Sequence, residues 1–126
     1  MQKDKLAHVS FISRVLLGFL FIYHGLVPKI LWLSAVEVHL VSISGLGVPA
    51  KIASPLAGIG EIVLGCAIIF LNKFNTPVYI AAAILLLLLL FVAVASPMYL
   101  IGAFNPVTTN ILGLGFCYLI LFIGKA

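Results

Sequence analysis

The sequence predicts an all-α, polytopic membrane four-helix bundle with a short interfacial segment between helices 1 and 2. Two observations carry that prediction. Hydrophobic residues make up 64% of the 126 residues and charged residues only 8%, against about 45–50% and about 25% in soluble domains. A soluble fold of this composition could not cover its surface with polar groups. The apolar residues also fall into four runs, each roughly 17–19 residues long, the lower part of the range for a spanning helix. A span takes about 20 residues, so the chain holds four at most, as a single domain over 1–126.

The first run is Phe11 to Val27, FISRVLLGFLFIYHGLV. A cleaved signal peptide is its rival reading, since MQKDK is a plausible basic start. Val27-Pro28-Lys29 follows where a small-x-small cleavage site would be needed, so a retained span is expected. Residues 30–52 contain Trp32, Glu37, His39, Gly45, Gly47 and Pro49. They are too polar and too interrupted to span, because a charge at mid-membrane costs about 2.5–3.5 kcal/mol even on translocon scales. A short interfacial helix is expected there. The second run is 53–71, with Ser54-Pro55 in its first turn, where proline sacrifices no helical bond. The third is 78–95 and contains six consecutive leucines, Leu85 to Leu90. The fourth is 107–124, after Pro106.

Four spans put both termini and the 72–76 connection on one side. That side has Lys3, Lys5, Lys73 and Lys125, with Arg14 nearby; the other has Lys29 and Lys51. The basic bias predicts cytoplasmic termini in a multi-pass protein of the cell's inner or plasma membrane. The net charge of +4 is scattered over seven basic residues, which excludes a nucleic-acid-binding stripe.

At about 100° per residue, Ser10, Arg14, Gly18, Gly25 and Pro28 form one stripe. Ser54, Ala57, Gly58, Glu61 and Gly65 form a second, and Thr109, Asn110, Gly113, Cys117 and Gly124 a third. Small residues let membrane helices approach and polar ones need partners away from lipid, so the three stripes are expected to face one another. The third run has no stripe, and its leucines suit lipid or a neighbouring subunit. Glu61 lies roughly 12 Å into its span from the outer end. His24, Asn105 and Asn110 lie in the same half. A polar pocket open to the outer face is therefore expected.

Glu61 is the leading candidate, because an intramembrane carboxylate is a functional-site hypothesis by default. Its alternative is a structural hydrogen bond to Asn110 or His24. His24 is an acid–base candidate beside it, or a helix-packing hydrogen bond. Lys29 holds an anionic head group or snorkels to the interface. Glu37 caps the pocket or pairs with Lys29. Asn105 and Asn110 complete the ligand-binding candidates. Arg14 is expected to snorkel to phosphates. His8, His24 and His39 share no helix face, so no metal site is expected. Cys66 and Cys117 differ in helical phase and are expected to be free thiols.

Four segments resemble the DoxX-like family of small four-helix membrane proteins. They are Tyr23-His24-Gly25-Leu26-Val27-Pro28-Lys29, the run Glu37 to Leu46, the Gly-x-x-Glu-x-x-x-Gly pattern Gly58 to Gly65, and Phe104 to Asn110. They occur in the family's order and cover most of the chain. The family is similar to subunits of quinone-linked sulfur oxidoreductases. The resemblance therefore implies a membrane protein that binds a quinone, lipid or other amphiphile, more a non-catalytic accessory subunit than a stand-alone enzyme. Quinone is the cofactor it offers, and membrane lipids, a redox enzyme or a second copy are the partners. The C-x-x-C pair of quinone-linked thiol oxidases is missing here, so their disulfide chemistry is not expected. A small transporter or channel component, or a structural partner without ligand, is the alternative.

Cysteines introduced at Leu40 and Leu100 should react with an impermeant maleimide from the same face of the membrane. Labelling from opposite faces would refute four spans.

Overall fold

The computed structural model describes residues 1–124, so Lys125 lies outside the described residues. The fold is all-helical, and four of its helical segments are long and apolar enough to cross a membrane. Helix α1 runs Gln2–Leu26 and passes directly into a π-helical turn, Val27–Leu31. Together they make 30 residues, about 45 Å at 1.5 Å per residue, against about 30 Å of hydrocarbon. The first turns of α1 therefore reach past the apolar layer.

Pro28, which follows the first apolar run directly, does not end this helix. In an α-helix its ring would meet the carbonyl of His24, four residues back. The helix nevertheless continues through Pro28 as a wider turn: the Trp32 N–H donates to the Val27 carbonyl at 2.9 Å, five residues back. The interfacial segment contains helix α2, Ala35–Ile43. Ser34 caps it, its Oγ accepting from the Glu37 N–H at 3.2 Å. Gly45 and Gly47 then turn the chain with φ of +74° and +71°, a region open to glycine at little cost. Helix α3 spans Ala50–Phe70. It starts ahead of the apolar run because Pro49 serves as its N-cap, which leaves Pro55 inside the helix. Helix α4 spans Thr76–Ala95, and a 3₁₀ turn, Pro97–Leu100, follows. Helix α5 spans Pro106–Gly124.

Packing starts from glycine. A Cβ on Gly25 would lie 2.5 Å from the Gly58 carbonyl oxygen, and one on Gly58 would collide with the Gly25 carbonyl. Gly18 and Gly65 repeat this relation at 2.7 and 2.6 Å. The α1 and α3 stripes thus meet backbone to backbone, as small residues allow in membranes. The α5 stripe does not join them. It meets α1 and α4: Leu85 of α4 fills the notch at Gly113, where a Cβ would be 2.7 Å from its Cδ1. So α4 is not merely a lipid-facing helix. Val78, Ala81, Leu85 and Val92 are buried, while Leu86, Leu87 and Leu90 face outward.

One half of the bundle is solid. Leu17, Ile68, Val78, Ala81, Cys117 and Ile120 form its core. Arg14 belongs to this half and does not snorkel. It is 4% exposed. Its guanidinium donates to the Ile68 carbonyl at 3.0 Å, the Phe74 carbonyl at 3.3 Å and Asn75 Oδ1 at 3.2 Å. These acceptors lie at the end of α3 and in the turn beyond it, where helix carbonyls lack N–H partners. Cys66 and Cys117 are free.

Gly58→Ala should destabilise the protein by about 1–3 kcal/mol, the cost of overpacking against backbone that cannot yield. Gly60→Ala is the control, since its Cβ would meet nothing within 4 Å. Thermal unfolding in detergent compares them, and equal melting temperatures would contradict the contact.

Candidate functional site

The other half of the bundle is hollow. Above Phe21 and Leu85 the helices enclose a cavity of about 620 Å³, within the size range of small-molecule sites. Its walls are Ala57 of α3, Leu88, Phe91 and Val92 of α4, and Thr109 of α5. Helix α2 lies across it through Val36, Leu40 and Val41, and Met98 and Tyr99 complete the rim beside it.

The polar groups of this largely apolar space centre on Lys29. The π-helical turn carries it, and its Nζ donates to Glu37 Oε1 of α2 at 2.6 Å. The same Nζ lies 3.6 Å from Glu61 Oε2 of α3. The three side chains are 11%, 19% and 13% exposed, so water screens them little. Lys29 therefore does not snorkel to the interface. It joins three helical elements, and Glu37 is its hydrogen-bonded partner.

Five of the six expected ligand-binding residues line the cavity: His24, Lys29, Glu37, Glu61 and Asn110. The hydrogen bonds expected among them are different. Asn110 Nδ2 donates to the Leu85 carbonyl at 2.9 Å, tying α5 to α4. His24 is exposed to the cavity and forms no side-chain hydrogen bond among the described residues. Glu61 Oε2 is buried with no hydrogen-bond partner, its nearest cation being at ion-pair distance. Asn105 does not line the cavity. It sits before α5 and accepts from the Thr108 N–H at 3.2 Å, while donating to the Gly102 carbonyl at 3.0 Å. Its place before Pro106 makes it a cap.

Two residues go beyond the sequence reading. Ser54 is 1% exposed, lines the cavity, and its hydroxyl has no partner. Its position on the Glu61 stripe was the available signal. His39 was expected at the interface; its Nε2 lies 3.2 Å from Ser96 Oγ and its ring meets Tyr99 edge-on at 5.8 Å. It thus fastens α2 to the end of α4.

Fold and site define a small helical membrane protein with four candidate spans and an ion-paired cavity at one end. The chain belongs to the DoxX-like family, whose model matches residues 18–118. All six expected ligand-binding residues fall inside that match. Comparison with curated proteins and with solved structures returned no match.

Lys29→Met should cost about 3–5 kcal/mol, because it strands two poorly hydrated carboxylates. Adding Glu37→Gln and Glu61→Gln should recover most of the loss. A single substitution that unfolds at the wild-type temperature would show that the ion pairs do not form.

Proposed function

We propose that this protein holds an amphiphile in the cavity, with the apolar body among Leu85, Leu88 and Phe91 and the head group at Lys29, Glu37, Glu61 and His24. The observation that carries the reading is the cavity itself. It places a charged cluster at the edge of an apolar space of ligand size, the usual make-up of a small-molecule site. Quinones and lipids are both amphiphiles of that shape. Binding, rather than catalysis, is the role proposed, in a non-catalytic subunit that accompanies a membrane oxidoreductase. The redox association is supported by the family resemblance alone. The orientation proposed has both termini in the cytoplasm and the cavity towards the outer face. It is supported by Lys3, Lys5 and Lys73 lying towards the solid end.

Mass spectrometry of small molecules co-purified with the wild type and with Glu61→Gln tests the reading. The wild type should retain an amphiphile. Glu61→Gln, which keeps size and loses charge, should retain about tenfold less, the loss expected of one charge-assisted hydrogen bond. A wild type purified from its native membrane without any amphiphile would refute it.

A further inference from the structure

We propose that the cavity selects amphiphiles whose head group is a hydrogen-bond-donating cation, an alkylammonium in the simplest case, and discriminates against anionic heads. The inference rests on the amphiphile-binding reading and narrows it.

The charges point this way. Lys29 faces two carboxylates, hydrogen-bonded to Glu37 at 2.6 Å and 3.6 Å from Glu61. With Lys29, Glu37 and Glu61 all ionised and His24 neutral, the cluster carries one negative charge in excess. An anionic head would find the only ammonium of the cluster already matched twice, and would add to the surplus. A cationic head would cancel it. In a space of low polarity this difference is much larger than in water.

The hydrogen-bonding capacity points the same way. Glu61 Oε2 is buried without a hydrogen bond, and Ser54, also on α3 and lining the same cavity, has a hydroxyl with no partner at 1% exposure. A buried unsatisfied polar atom costs about 1–3 kcal/mol. A carboxylate can only accept and a hydroxyl both accepts and donates, so the deficit is mainly one of donors. A quinone brings acceptors alone, and a fatty-acid carboxylate likewise. An ammonium brings donors together with the missing charge.

The test uses the full chain in a neutral detergent at neutral pH. Dodecylammonium, dodecanoate and a short-chain benzoquinone are titrated separately and bound protein is read by native mass spectrometry. Dodecylammonium should bind about tenfold tighter than either of the others, as one charge-assisted hydrogen bond predicts. Glu61→Gln should abolish that preference and Glu61→Asp should keep it. Dodecanoate or benzoquinone binding as tightly as dodecylammonium would overturn the head-group assignment and leave the cavity reading intact. So would a Glu61→Gln protein that keeps the preference. Failure of all three probes to bind would overturn both. If Glu61→Gln does not fold, the order of the three probes on the wild type decides the matter.

Discussion

The open half of this protein is organised around one ammonium group. Lys29 stands on the end of the first membrane helix and meets Glu37 of α2 and Glu61 of α3. An ionisable group at this depth must find a partner or lose its charge. Satisfying that demand pulls three helical elements to a point. It holds α2 over the bundle, with His39 and Ser96 as a second fastening. Glu61 and Lys29 line the space left between α3, α4 and α5.

The two halves answer the same physical requirement differently. In the solid half Arg14 donates to three oxygen acceptors supplied by the end of α3 and the following turn. Its charge spreads over donors that also satisfy helix carbonyls, so burial is complete and apolar side chains close around it. In the hollow half Glu61 Oε2 and the Ser54 hydroxyl are buried without hydrogen-bond partners. Glycine contacts run through both halves, Gly18 with Gly65 in one and Gly25 with Gly58 in the other. The α1–α3 pair is therefore equally tight at both ends, and the opening arises where α4 and α5 fail to fill in.

Much of this was legible in the sequence because a membrane imposes few choices. Apolar runs mark the four long helices, and the Gly58–Glu61–Gly65 pattern marks a packed face. What escaped depends on where partners lie. Arg14 looks like a snorkelling anchor because its acceptors are mostly backbone carbonyls more than fifty residues away, and carbonyls leave no trace in composition. Leu85 is buried while Leu86 and Leu87 are not, and identical side chains cannot announce which of them meets Gly113. Pro28 reads as a helix end, yet a π-helical turn absorbs it. Asn105 resembles a site residue by its polarity, whereas its position before Pro106 is that of a cap.

The solid half makes the cavity a blind well. Leu17, Ile68 and Ile120 are each no more than 1% exposed, and with Arg14 they stopper its floor. Closed below, the cavity does not run through the bundle to its other end. Passage across would require the stopper to part and Arg14 to give up its acceptors within hydrocarbon. In this conformation the cavity is reached from one end of the bundle, while the other end is closed by packed side chains.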